Sequence, residues 1–314
     1  MPFFVCTLFE KHYHYGVAAL LNSLYLNNYK GVVCAGYKGT LPAWCSACKA
    51  DPEVFWEGVT SLQIAEGFKV YFLPVQTDMH FNFYKPYFML ALFKMMGNKA
   101  DGVAYFDPDI VVKCKWAAFE AWMGHGVALV QENFNRPATH PFRGEWKKVI
   151  HIVNRQTTRS IHAYINGGFC GVARQNIEFL TVWTEVIEAA AKYFNLVPTR
   201  WGQTRDRTYP FYNADQDTLN IATMCSDSPV SEIGPDGMDI LPGGFVMSHA
   251  LGSPKPWKKK FIRSALCGIG PSLADKGFWH YSNGPVHLYS KGFLTIQRMK
   301  ISIASFISRF YKRS

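Results

Sequence analysis

No stretch of the 314 residues reaches the roughly 18 to 20 uninterrupted apolar positions that a helical membrane span needs. An integral helical membrane protein is thereby excluded. The first residues contain no basic region leading into an apolar core and a small-residue cleavage site, and "FFVCTLF" reads as a strand from residue 3, so a cytoplasmic protein is expected. Cysteine is sparse and scattered, at 6, 34, 45, 48, 114, 170, 225 and 267, which excludes a disulfide framework. Cys45 and Cys48 in "WCSACK" have CxxC spacing, but no second such pair or neighbouring histidine pair completes a tetrahedral zinc site, and a packing role is expected for them. Acidic residues almost vanish from the C-terminal fifth. From Lys255 to Ser314 there is 1 acid, Asp275, against 12 Lys and Arg; the remaining 21 basic and 22 acidic residues nearly cancel, so the +10 net charge belongs to the tail. No nucleic-acid partner is expected, because no zinc-finger, RNA-recognition or helix-turn-helix signature accompanies that charge.

What the chain does have is an alternation of short apolar strands and amphipathic helices. Strands are predicted at 3–9, 31–37, 68–74 and 102–106, and helices at 15–27, 53–66 and 84–97. This order predicts an α/β fold with a Rossmann-like, mostly parallel sheet flanked by helices, in a domain spanning 1–265. The polar, proline-containing stretch 133–148 reads as a loop over a pocket, and Trp146, Trp201, Tyr209 and Tyr212 as rim aromatics on which sugar rings could stack. Residues 266–314 form a basic amphipathic extension. Within it Ile296, Met299, Ile303, Phe306, Ile307 and Phe310 share one helical face, with Arg298, Lys300, Arg309, Lys312 and Arg313 around them. Such a helix suits either an anionic membrane surface, met through residues 291–314, or packing against the domain.

The chemistry concentrates where the 102–106 strand runs into Asp107-Pro108-Asp109. In a parallel sheet ligands sit beyond the C-terminal strand ends, and two carboxylates two residues apart there can share a hard divalent cation with a substrate diphosphate. "SHALGSPKPW" (248–257) offers company: His249 as a third metal ligand, Gly252 for close backbone approach to phosphate, and Lys255 as a point charge for a diphosphate. Each has a plainer reading taken alone. Asn166-Gly167-Gly168 can be a turn, Asp215 the N-cap of the helix starting in "QDTLNIAT", Lys255 a surface lysine and Trp257 packing.

Four stretches in order, "YFDPDIVV" (105–112), "INGGFCGV" (165–172), "NADQDTLN" (213–220) and "HALGSPKPW" (249–257), resemble glycosyltransferase family 8, the retaining nucleotide-sugar transferases of GT-A fold that include glycogenin and bacterial lipopolysaccharide galactosyl- and glucosyltransferases. The resemblance implies that Asp107, Asp109 and His249 bind Mn²⁺ or Mg²⁺, with Asp107 also near the ribose. It implies diphosphate contacts from Gly252 and Lys255. Asn166, beside Gly167, and Asp215 would hold hydroxyls of the donor sugar, and Gln216 would lie beneath the anomeric carbon. Asp217 is the nearer acid should a covalent intermediate form. Lys85 stands where the family often has an arginine reaching the sugar. The N-terminal segment "CTLFEKHYHYG" departs from the family in lacking an Asp and an Asn-Tyr pair, which leaves Thr7 and Tyr13 as candidate base contacts.

The resulting expectation is a metal-dependent transferase moving a hexose, by analogy from UDP-glucose or UDP-galactose, to a saccharide or glycolipid acceptor, cytoplasmic and peripheral to a membrane. Two rivals stand beside it. One is a nucleotide-sugar-binding protein without turnover; the other is a nucleic-acid binder using the basic tail.

Overall fold

The computed structural model describes residues 3–134 and 136–310. Among the described residues eleven strands form two sheets. In chain order they are β1 (Phe3–Glu10), β2 (Gly31–Lys38), β3 (Lys49–Ala50), β4 (Thr60–Ala65), β5 (Phe68–Pro74), β6 (Gly102–Phe106), β7 (Ile110–Val112), β8 (Val127–Val130), β9 (Phe169–Ala173), β10 (Val230–Ile233) and β11 (Met247–His249). The helices are α1 (His14–Leu26), α2 (Phe81–Met96), α3 (Trp116–Gly124), α4 (Pro141–Ile152), α5 (Glu178–Tyr193), α6 (Asp215–Cys225), α7 (Phe261–Leu266), α8 (Leu273–Tyr281) and α9 (Lys291–Ile307).

Nine strands make the main sheet in the order β10-β8-β9-β6-β1-β2-β5-β4-β3. Its centre, β6-β1-β2-β5, is parallel, while β9 runs antiparallel to both β6 and β8, and β4 runs antiparallel to β5 and β3. The sheet is therefore mixed, with a parallel heart and antiparallel flanks. Alternation along β1 shows how it is covered: Phe4, Cys6 and Leu8 enter the core under α2 and α5, and Val5 and Phe9 the core under α1 and α3. Two-sided burial explains why these strands read as nearly continuous apolar runs.

Two expectations fail here for identifiable reasons. Residues 53–66 are not a helix; the chain turns irregularly and then forms β4, a strand hairpinned to β5 through Gly67 at φ +72°. Residues 133–148 are not all loop. His140 caps α4, Pro141 occupies its first turn where a missing N–H costs nothing, and Trp146 is fully buried rather than on a rim, donating to the Pro210 carbonyl at 2.8 Å.

The eight cysteines are all free thiols. Burial pushes the Cys45 thiol up, and Cys45 sits in the core under α1 with Cys48 packed beside it, in keeping with packing. The helices α7 to α9 enclose a third core, in which Phe261, Phe278, Trp279, Leu294 and Ile301 join Ala19 of α1 and Val111 of β7. No helix among the described residues is long and apolar enough to cross a membrane.

Candidate active site

The chain leaves the main sheet at Phe106 and enters the two-stranded sheet at Ile110, and Asp107-Pro108-Asp109 is the turn between them. The Asp107 N–H donates to the Gly168 carbonyl at 2.7 Å and the Ile110 N–H to the Asp107 carbonyl at 3.0 Å, fixing the turn from both ends. Gly16 in the first turn of α1 permits this. A Cβ there would stand 2.0 Å from the Pro108 carbonyl oxygen. Antiparallel pairing of β11 with β7 sets His249 opposite Ile110, which carries a residue 140 positions downstream onto the aspartates.

The ligating atoms are sorted by their partners. Asp107 Oδ1 accepts from Tyr105 Oη at 2.9 Å and faces Lys85 Nζ at 3.1 Å, while Oδ2 faces His249 Nε2 at 3.8 Å. Asp109 Oδ2 is held by Lys255, while Oδ1 lies 3.3 Å from His249 Nε2. One oxygen of each aspartate is thus tied to a lysine, and the other converges on the imidazole. All three ligand atoms lie within 4.8 Å of one another, and among the described residues no other such group forms. Burial disfavours charge on Asp109, but His249 and Lys255 outweigh it and hold the carboxyl well below the usual range, so it is ionised at neutral pH. Among the described residues His249 Nδ1 is buried without a partner, and the ring is set instead by packing on Gly168, where a Cβ would meet Cε1 at 2.4 Å. Two carboxylate oxygens and an imidazole nitrogen facing one another fit a divalent cation that keeps open positions for substrate oxygens.

Around this triad lies a cleft of about 740 Å³ at the C-terminal ends of the parallel strands. Leu8, Phe9 and Glu10 at the end of β1, Tyr13, and Lys38 at the end of β2 line it, as do Gly252 and Lys255. Opposite stand Asp215 and Gln216 at the start of α6. Ala214 precedes them at φ +53° and ψ −109°, a conformation costly for a residue with a Cβ, and this turn delivers both side chains to the cleft. The Gly167 N–H donates to Gln216 Oε1 at 2.9 Å. Lys85, 1% exposed on α2, spans Asp107 Oδ1, Asp215 Oδ2 at 3.2 Å and the Gly167 carbonyl at 2.7 Å. Burial works against its charge, yet the two aspartates raise its pKa; burial conversely raises Asp215 despite Lys85.

Three candidates do not reach the cleft. Thr7 sits mid-strand, paired with Ala35, and is fully buried; the cleft begins one residue later, at Leu8. Asp217 is wholly enclosed, accepting from Arg136 Nη1 at 2.6 Å, Tyr164 Oη at 2.8 Å and the Asn213 N–H at 2.7 Å, so it braces the turn before α6 instead of facing a substrate. Asn166 is also buried, its amide spent on Glu132 and Gly168. Asp215 is the first residue of α6 and not its N-cap. Trp257 packs on Tyr13 and Phe278 and donates to His12 Nδ1 at 3.0 Å. Conversely, the cleft contains Glu10, Asn82, Glu132 and Phe134, which no motif singled out.

No family model and no curated protein matches the chain. Solved structures do. The bifunctional glycosyltransferase WbbM is similar over 94% of this chain at 16% identity, with a TM-score of 0.51. The galactosyltransferase LgtC, solved with donor and acceptor sugar analogues, is similar over 95% of this chain and 99% of its own at 14% identity and a TM-score of 0.50. The fold is that of the GT-A glycosyltransferases. The glycosyltransferase GlyE of Streptococcus pneumoniae TIGR4 is similar at 13% identity, a TM-score of 0.50 and 96% coverage of this chain. This chain spans 51% of the WbbM chain and 64% of the GlyE chain.

Proposed function

We propose that the protein is a metal-dependent retaining glycosyltransferase of the family 8 type, moving a hexose from a nucleotide-diphosphate sugar, UDP-glucose or UDP-galactose, to a saccharide or glycolipid acceptor. The observation that carries this is the convergence of the free oxygens of Asp107 and Asp109 and the Nε2 of His249 beside Lys255, in a cleft at the ends of the parallel strands. Mn²⁺ or Mg²⁺ held by those three atoms would supply Lewis-acid stabilisation of the departing diphosphate. Lys255, now on Asp109 and the Ala250 carbonyl at 2.8 Å, is within the same cleft and gives the diphosphate a second positive charge. Gly252, at φ +75° with open space around it, lets phosphate oxygens approach the backbone. Tyr13 lines the cleft with Phe9 and Glu10 at the end of β1 and would meet the nucleotide base there. The Gln216 amide oxygen, oriented by the Gly167 N–H, supports positive charge building on the anomeric carbon, and Asp215 accepts sugar hydroxyls.

The test is a thermal-shift and hydrolysis panel of nucleotide sugars with Mn²⁺ and with chelator. One donor at about 100 times its dissociation constant should add roughly 2.7 kcal/mol, a rise on the order of 5 °C, and be slowly hydrolysed, both only with metal. Stabilisation without turnover toward water or any offered saccharide would instead leave a binding protein.

The outer face of α9 supplies the membrane partner. Ile296, Met299, Ile303, Phe306 and Phe310 are 48% to 71% exposed, whereas Leu294, Ile301 and Ala304 on the opposite side fill the core. Ile307, the remaining residue of the stripe, is partly buried against the third core, so the stripe packs at that one edge and is otherwise open; Arg298, Lys300 and Arg309 flank it, and Lys312 and Arg313 lie outside the described residues. Insertion of such half-exposed side chains is worth about 1 kcal/mol each, with about 1 kcal/mol more per basic residue at an anionic surface. Co-sedimentation should show at least tenfold tighter binding to phosphatidylserine-containing vesicles than to pure phosphatidylcholine, lost in Ile303→Glu with Phe306→Glu. Equal binding to both vesicle types, or none, would refute a charge-assisted interfacial helix.

A further inference from the structure

Asn166, expected to hold hydroxyls of the donor sugar, is turned away from the cleft. Its Nδ2 donates to Glu132 Oε1 at 2.6 Å and its Oδ1 accepts from the Gly168 N–H at 2.7 Å, so both ends of the amide are engaged. What faces the cleft in its stead is Glu132. The residue is placed by backbone as well: its N–H donates to the Tyr164 carbonyl at 2.7 Å, and the neighbouring Gln131 is bridged to Ile165.

Glu132 differs from the other buried acids around it. Asp107 and Asp215 share Lys85, Asp109 has Lys255 and Asp217 has Arg136, whereas no salt bridge among the described residues reaches Glu132, although it is 8% exposed. Among the described residues its Oε2 receives only the long 3.4 Å contact from the Asn133 N–H. A carboxylate this enclosed, with lone pairs left over and no cation, is suited to strong charge-assisted bonds from neutral donors. Hydroxyl groups are such donors. Gly167 and Gly168 lie beside it on the cleft wall, with Asp215 and Gln216 packed against the first and His249 against the second.

We infer that Glu132, positioned by Asn166, is a sugar-recognition residue whose free carboxylate oxygen accepts a hydroxyl of a pyranose held in the cleft. This rests on the glycosyl-transfer reading above. The hydroxyl can come from the donor hexose or from the acceptor, and the experiment separates the two.

Wild type, Glu132→Gln and Asn166→Ala are compared in the presence of Mn²⁺ by calorimetric titration with UDP, then with UDP-glucose and UDP-galactose, and finally with lactose and maltose added to the UDP-loaded protein. Glu132→Gln keeps the side-chain shape, so UDP affinity should stay within about twofold. If the donor hexose is read, affinity for the active UDP-hexose and its hydrolytic kcat/KM fall tenfold or more; if the acceptor is read, those stay and disaccharide affinity falls by that factor. Asn166→Ala should show the same pattern more weakly, because the carboxylate remains but loses its orientation. Loss of UDP affinity and of Tm in step would assign Glu132 to the fold and overturn the inference, as would no change in any titration. Failure of the wild type to bind even UDP with Mn²⁺ is a separate result that removes the transferase reading and this assignment with it.

Discussion

Asp109→Ala is expected to cut metal-dependent hydrolysis of the donor by roughly 10³-fold or more, about 4 kcal/mol of transition-state stabilisation. The residue does two things at once. Its Oδ1 faces His249 Nε2 at 3.3 Å across the candidate cation position, and its Oδ2 engages Lys255. Alanine removes a ligand and releases the lysine, which the neighbouring Ala250 carbonyl still holds at 2.8 Å, so both charges that would oppose the diphosphate are disturbed together. Asp109→Asn separates shape from charge. An asparagine keeps an oxygen in place but supplies no negative charge, and it should be nearly as inactive if a cation is held here. A hydrolysis assay across Mn²⁺ concentrations distinguishes weaker metal binding, which added metal rescues, from loss of a positioned lysine, which it does not. Activity within tenfold of wild type for the alanine variant at low Mn²⁺ would mean that the triad does not bind the catalytic metal.

Much of this site could be found without coordinates because its chemistry lies in short segments of unusual composition. Asp-Pro-Asp interrupts an otherwise apolar run, and such an interruption at a strand end is visible by contrast. His249, Gly252 and Lys255 fall within seven residues, and the β11–β7 pairing that brings them to the aspartates follows from where those strands leave the main sheet. Glu132 carries no such contrast. One acid at the end of an apolar strand looks like any strand terminus, and only the Asn166 amide beneath it reveals a partner. Asp217 misleads in the opposite direction, since its place two residues after Asp215 suggests a shared role. In an α-helix residues two apart face different ways, and here one looks into the cleft and the other into the Arg136 and Tyr164 pocket.

The fold was read best where burial is two-sided and worst at the edges. Strands at 3–9, 31–37, 68–74 and 102–106 all exist because continuous apolar runs bounded by turns have few other uses. β4, next to the two-residue edge strand β3, is half exposed and mixed in composition, and its turn signal, Glu66-Gly67, is outweighed by the helical look of the preceding residues. α4 hides behind Pro141, a residue that stops a helix in its interior but begins one at its first turn. α9 shows how far a stripe can be taken. The periodicity of Ile296, Met299, Ile303 and Phe306 is real, but a second, smaller set, Leu294, Ile301 and Ala304, fills the core, joined from the stripe by the partly buried Ile307.

Lys85→Met is expected to destabilise the fold by about 3–5 kcal/mol, the usual cost of removing one partner from a buried ionic cluster, and to lower Tm on the order of 10 °C. Methionine fills nearly the same volume, so the loss reports charge and hydrogen bonding rather than a cavity. The ammonium is almost inaccessible and serves Asp107, Asp215 and the Gly167 carbonyl at once; without it the two carboxylates face each other with no cation between them. The deficit should depend on pH in a definite direction. Burial already raises the Asp215 carboxyl above its ordinary value with Lys85 present, and removing the lysine raises it further. The folded variant then holds a proton that the unfolded chain gives up, so its stability climbs as pH falls from neutral toward the ordinary carboxylate range. Urea denaturation of wild type and variant at pH 8 and pH 5 measures this: the gap between them should narrow at pH 5. A gap that stays constant or widens would mean that Asp107 and Asp215 find other cations once Lys85 is gone. Lys85→Arg keeps the charge but adds bulk where none is free, and a loss of about 1–3 kcal/mol, the usual cost of overpacking, is expected there. Comparing the two variants separates the room available at this position from the charge it must carry.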